Sequence, residues 1–258
     1  MARWSTEGNA PVERDALSIM LEKKQTIYHC EDYLIESPRP DKINEMARQK
    51  LVEWCMSICD VCKFQRETAA FAFGLLDRYL LRPSVWRAMA LRDQREFQLF
   101  TIASLYIAIK MNERVVVGSS IFSSISEGGY SIQEIEVAEK IVLFGLSWHL
   151  NKPTALQMSM QILAIMDAKT VLDKKSMQWL IDEVHHQTEL AVHSYNLSIQ
   201  RPSTVGISIL FLAIQQLLEE HQSVLLGSLL SVAQEFDFDE SCQNSISSQM
   251  IRTAAEKQ

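Results

Sequence analysis

Apolar residues recur along most of the chain at helical spacing, and the alternating pattern of a strand is rare. Ala47, Leu51, Cys55, Ile58 and Cys62 step by 4, 4, 3 and 4 residues, one face of a helix over about 43–61. A second helix is expected over about 68–81, with Pro83 shortly after its end. A third, about 96–111, carries the run LFTIASLYIAI, apolar almost all round, and such a helix must be surrounded by others. Short helical pieces are expected near Ile121. Gly128-Gly129 marks a turn, and Ser131-x-x-Glu134 reads as a capping box opening a helix that reaches Trp148. Upstream, residues 1–12 are polar and read as frayed. Leu17, Met20, Leu21 and Ile27 fit a helix over about 14–35, and Pro38 and Pro40 then break the chain.

Asn151-Lys152-Pro153 separates a second block with the same rhythm. Pro153 or Thr154 opens a helix ending near Asp167, and Asp173 caps a longer one reaching about Asn196. Pro202 suits a first helical turn and precedes a nearly all-apolar helix over about 205–218. Weaker helices fit 224–233 and 239–255. Each block thus holds roughly five helices with the third the most apolar, although no residue-level repeat links the halves. The expectation is an all-α protein of two tandem five-helix bundles: an N-terminal arm and helix over 1–40, a first bundle over 41–150 and a second over 151–258.

Composition narrows the function. Only 8 Gly and 6 Pro among 258 residues leave few tight turns, in keeping with helices. A formal charge of −7 and short basic pairs such as Lys23-Lys24 argue against nucleic-acid binding, which calls for a basic stripe. The longest apolar run, Leu99 to Ile109, is broken by Thr101 and Ser104 and is shorter than the roughly 20 residues of a membrane span. The start MARWSTEGNA lacks the apolar core of a signal peptide, so the nucleus or cytoplasm is expected. There the five cysteines are expected as reduced thiols.

Four charged residues sit where apolar ones belong. Arg48 adjoins Ala47 and Val52, Asp77 lies among Ala70, Phe73, Gly74 and Leu80, Lys110 ends the third helix, and Glu139 lies between Ile135 and Val142. A charge on an apolar face is costly unless paired. Arg48 with Asp77 would tie the first two helices by a two-pronged bond, and Lys110 with Glu139 could pair at the bundle's edge with donors and acceptors to spare. The alternative, that all four are half-exposed and merely solvated, stands beside this.

Five segments then resemble the cyclin family. Arg48-Gln49-Lys50-Leu51-Val52-Glu53-Trp54 is similar to the cyclin-box opening R-x-x-L-V-D-W. Glu67-Thr68 and Leu75-Leu76-Asp77-Arg78-Tyr79-Leu80 resemble the family's second helix, and Ala108-Ile109-Lys110-Met111-Asn112-Glu113 the end of its third, A-S-K-x-x-E. Glu139-Lys140-Ile141-Val142-Leu143 with Leu146-Ser147-Trp148 resembles the fifth, and Pro153-Thr154 the start of the second box. All five fall in family order over about 47–154. The cysteine-bearing first helix leans toward the D-type look.

The resemblance implies two cyclin-like boxes and a regulatory subunit, not an enzyme, that binds and activates a cyclin-dependent protein kinase in cell-cycle control. Lys110 and Glu139 match residues that hydrogen-bond the kinase main chain, Leu99 an apolar contact, and Arg48 with Asp77 the internal pair that sets the box geometry. A docking patch for R-x-L substrates and inhibitors is degenerate: Leu51, Trp54 and Gln98 match, but Ala47 and Lys50 replace its Met and Ile. Other readings are a kinase partner directed at RNA polymerase, and a cyclin-fold transcription factor on DNA, which would want a basic face and a zinc ribbon. No glycine-rich phosphate loop or nucleophile elbow appears, and no cofactor is implied. Cys55, Cys59 and Cys62, with His29 and Cys30 elsewhere, are read as packed thiols rather than a zinc site, and His185, His186, Glu189 and His193 as a wet helix face.

Overall fold

The computed structural model describes residues 10–27, 32–34, 43–126, 128–166, 171–236 and 238, and among these all regular structure is helical, in twelve helices. The chain divides into two units. One comprises Cys30–Lys152 and Val192–Ile199; the other comprises Met1–His29, Pro153–Ala191 and Gln200–Gln258.

In the first unit, Asn44 opens α2 (Glu45–Cys62) by accepting a hydrogen bond from the Ala47 amide at 2.9 Å, and Lys63 closes it in the left-handed conformation, φ 61°. α3 (Arg66–Leu80) follows, then a short α4 (Val85–Ala90) capped by Ser84. Asp93 caps α5 (Gln94–Asn112), which is buried almost all round and packs chiefly on α3 and on α7 (Ile132–Gly145). Tyr79 of α3 stacks on Phe100 of α5 with centroids 5.1 Å apart. α6 (Ser119–Ile125) lies against α7, and α10 (Tyr195–Ser198) against α2. The capping box of α7 forms as read: Ser131 and Glu134 bond each other's backbone, and the Ser131 amide, with Arg95 behind it, pulls the Glu134 carboxyl down to about 2.

The sequence reading departs from this unit in three places. The buried face of α2 is Arg48, Val52, Cys55, Met56, Ile58 and Cys59, whereas Ala47, Leu51 and Cys62 of the expected stripe are half-exposed. The face is turned because a charged residue, Arg48, belongs to the core. α4 and α10 were not expected, each being too short to print a period. α7 stops at Gly145 rather than Trp148, since Ser147 and Trp148 adopt φ of 50° and 62°.

In the second unit, α11 (Pro202–Gln215) is the central apolar helix, with proline at its first turn. α8 (Ala155–Ile165), opened by a Thr154–Gln157 capping box, packs on it, and α1 (Ala10–Ile27) lies on α8, with Leu17 fully buried. α9 (Lys174–His193) starts at Asp173, which accepts from the Ser176 amide at 2.7 Å. α12 (Glu219–Glu235) lies against α8 and α11, with Ser228 donating to the Met166 carbonyl at 3.0 Å. The helix expected over 239–255 lies outside the described residues. The one expected over about 14–35 is shorter at its end and starts earlier: α1 already begins at Ala10, within the stretch read as frayed, and Asp32–Leu34 are not helical.

α8 and α11 approach closely where Gly206 faces Ala155. A Cβ added at Gly206 would sit 2.9 Å from the Ala155 carbonyl and 2.9 Å from Met158 Cβ, and Ser159 already spans the gap by donating to the Gly206 carbonyl at 2.9 Å. Because backbone cannot step aside as a side-chain tip can, Gly206→Ala is expected to destabilise this unit by about 1–3 kcal/mol in urea unfolding.

Candidate functional site

Arg48 and Asp77 meet inside the first unit. The guanidinium takes both carboxylate oxygens, Nε to Oδ1 at 3.2 Å and Nη2 to Oδ2 at 2.8 Å, and its remaining nitrogen donates to the Val192 carbonyl at 2.9 Å. Both side chains are buried, and the guanidinium lies 4.9 Å from the Phe73 ring centroid. Burial works against its charge, but Asp77 and Tyr33 outweigh this and leave Arg48 held more firmly protonated than usual.

Two tyrosines complete this cluster. Tyr33 donates its hydroxyl to Asp77 Oδ1 at 2.7 Å. Burial first, and then the Asp77 charge, pushes its phenol well above the ordinary range. The Tyr195 hydroxyl accepts from the Tyr33 and Leu34 amides and donates to Asp32 at 2.8 Å. The two rings meet edge to face, 5.1 Å apart. None of Asp32, Tyr33, Val192 and Tyr195 was singled out from the sequence. The carboxylate's surplus acceptor capacity was the signal that it needed more than one partner.

Lys110 and Glu139 meet at the surface of the same unit. Lys110 stands in the last turn of α5, where a cation complements the helix dipole. Its Nζ donates to Glu139 Oε1 of α7 at 2.6 Å and lies 3.7 Å from the Tyr106 ring centroid. The Lys110 side chain is 42% exposed and that of Glu139 14%. Partial burial lowers the lysine's proton affinity, but bonds to Glu139 and Tyr106 more than offset it, so the ammonium stays charged. The reading of all four charges as half-exposed and solvated therefore fails: one pair is buried, and the other is bonded at the rim.

The remaining site candidates are less open. Leu99 is 7% exposed and belongs to the core of this unit. Leu51, Trp54 and Gln98 are half-buried, with Gln98 accepting from the Tyr130 hydroxyl at 3.1 Å, while Lys50 beside Leu51 is exposed. The motif residues Thr68 and Glu113 prove to be structural, since Glu113 accepts from the Thr68 hydroxyl and, at 2.9 Å, from the Gln65 amide, fastening the start of α3 to the end of α5. Cys55 and Cys59 are buried among apolar neighbours, and burial pushes the Cys59 thiol up to about 12. Among the described residues no group of three His, Cys, Asp or Glu is placed to hold a metal ion, and no helix is long and apolar enough to cross a membrane. His29 and Cys30 lie outside those residues.

The first unit is thus a helical bundle round one buried central helix, with a buried Arg48–Asp77 pair and a Lys110–Glu139 pair at its rim. The family model described as the cyclin N-terminal domain matches residues 15–151, more than half of the chain, and the chain belongs to the cyclin family. It is 30% identical over 172 residues to cyclin-B1-1 of Oryza sativa subsp. japonica, covering 67% of this chain and 36% of that protein. It is 28% identical over 185 residues to G2/mitotic-specific cyclin S13-7 of Glycine max, covering 72% and 65%. It is 27% identical over 178 residues to G1/S-specific cyclin-E1 of Rattus norvegicus, covering 67% and 41%. The matches thus span less than two thirds of these relatives' own lengths. The names of these three are of B and E type, or mitotic. In fold, the chain is similar to a viral cyclin from herpesvirus saimiri, with a TM-score of 0.68 at 15% identity, covering 92% of this chain and 97% of that one.

Proposed function

We propose that this chain is the regulatory subunit of a cyclin-dependent protein kinase, without catalytic residues of its own, and that it acts in cell-cycle control in the nucleus or cytoplasm. The observation that carries the reading is the Lys110–Glu139 pair, bonded at 2.6 Å at the rim of the unit, with the lysine half-exposed and the edge of the glutamate reaching solvent. An ammonium has three donors and a carboxylate about four acceptor sites, so after bonding each other both groups retain capacity for a partner's carbonyl and amide. That combination suits the main chain of a kinase's mobile helix. In such kinases the helix carries a glutamate that must pair with the ATP-binding lysine before phosphoryl transfer. A subunit that binds only the arrangement with that pair formed shifts the kinase population toward it.

Arg48 and Asp77 would act indirectly, keeping α2 and α3 in the register on which α5 and α7 rest. Leu99 would reach a partner only by its edge, and exposed Met111, beside Lys110, adds apolar surface. The exposed Lys50 weakens R-x-L docking over Leu51, Trp54 and Gln98. The cell-cycle assignment draws on the relatives' names. The test is to mix the purified chain with purified cyclin-dependent kinases and follow peptide phosphorylation. Stimulation of at least one kinase is expected; no stimulation and no complex across the panel would remove the reading.

A further inference from the structure

The outward face of α4 is apolar and uncovered among the described residues of its unit. Val85, Trp86 and Met89 are 75%, 44% and 42% exposed, while Ala90 turns inward and is buried. At about 100° of turn per residue the three exposed side chains fall within one sector of the helix. A tryptophan with two aliphatic neighbours on one exposed surface marks an interaction site rather than scatter.

Charge says what would cover it. The run RPSVWRAMALR, residues 82–92, holds three arginines and no carboxylate, in a chain whose formal charge is −7. Arg87 folds back and donates to the Leu80 carbonyl. Arg82 and Arg92 are exposed, and their guanidinium groups form no ion pair among the described residues. They flank α4 in sequence, Arg82 two residues before the Ser84 cap and Arg92 directly after Leu91. Six helical residues rise about 9 Å, and allowing for the arginines' reach an extended peptide of about five to seven residues at roughly 3.3 Å each would span the face.

We infer that the outward face of α4 docks a short acidic peptide, with an aromatic or aliphatic anchor on Trp86 and Met89 and carboxylates on either side held by Arg82 and Arg92 in two-pronged bonds. Nucleic acid fits less well, because a phosphate chain needs a continued basic stripe, and here Asp93 and Glu96 follow at once. The surface involves neither Lys110 nor Glu139 and does not depend on the kinase reading.

The test uses the full chain and the fluorescein-labelled peptide EELFEE, followed by anisotropy in about 50 mM salt, where screening is modest. Saturable binding is expected. Trp86→Ala, and separately Arg82→Glu with Arg92→Glu, are each expected to weaken it at least about tenfold, with helicity retained in both and the thermal midpoint unchanged in the arginine variant, whose two residues are exposed. Lys110→Ala with Glu139→Ala is expected to leave peptide binding intact. No saturable binding, binding that both patch variants retain, or a single-stranded DNA oligomer that displaces the peptide at lower concentration would overturn the inference.

Discussion

Asp77→Ala is expected to destabilise the first unit by about 3–5 kcal/mol, because removing one member of a buried ion pair strands the other. Arg48 would keep its bond to the Val192 carbonyl but lose both carboxylate contacts while remaining buried, and the Tyr33 hydroxyl would lose its acceptor at the same stroke. Water cannot reach the vacated position cheaply, since Arg48 is closed in by Phe73 and Tyr195. The urea midpoint reads the loss directly. Arg48→Met combined with Asp77→Leu removes both charges, and it is expected to recover a substantial part of it, since a buried pair replaced by apolar side chains is often tolerated. A cost below about 1 kcal/mol for Asp77→Ala, the level of a surface pair, would mean that the pair is not buried in solution.

The helix inventory was legible in the sequence where the signal is local. Ser131 and Glu134, Asp173, and Pro202 mark starts through bonds or ring geometry spanning a few residues, and the structure has helices beginning at each. α5 and α11 were legible because an all-apolar helix can only be central. α4 and α10 were hidden by their length, and the exact face of α2 because the apolar stripe through Ala47, Leu51 and Cys62 lies one residue round from the row that Arg48, Val52 and Cys59 bury. The Arg48–Asp77 and Lys110–Glu139 pairings could be posed from chemistry, since each charge on an apolar face demands an opposite one, although spacing alone could not choose pairing over solvation. Tyr195 could not be foreseen at all. It bonds Tyr33 and Asp32 across more than 160 positions of sequence, and nothing in its own neighbourhood announces the role. Leu99 shows the reverse limit: its match to a family contact said nothing about how much of its surface the fold would leave free.

The role of the rim pair rests on Lys110 and Glu139 serving a partner rather than the fold. As a pair at the rim, with Lys110 42% and Glu139 14% exposed, it contributes about 1 kcal/mol to folding, so Lys110→Ala with Glu139→Ala is expected to keep the helicity and to lower the thermal midpoint by no more than several degrees. A partner whose backbone groups had met both charges loses two charge-assisted bonds at about 1.5–3 kcal/mol each, enough to drop a micromolar complex out of a capture experiment. The decisive measurement is therefore capture of cyclin-dependent kinases from cell extract by the immobilised wild-type chain and by this double variant, compared by mass spectrometry. Kinase retained by the wild type and absent from the folded double variant is the predicted result. Kinase retained equally by both would contradict it.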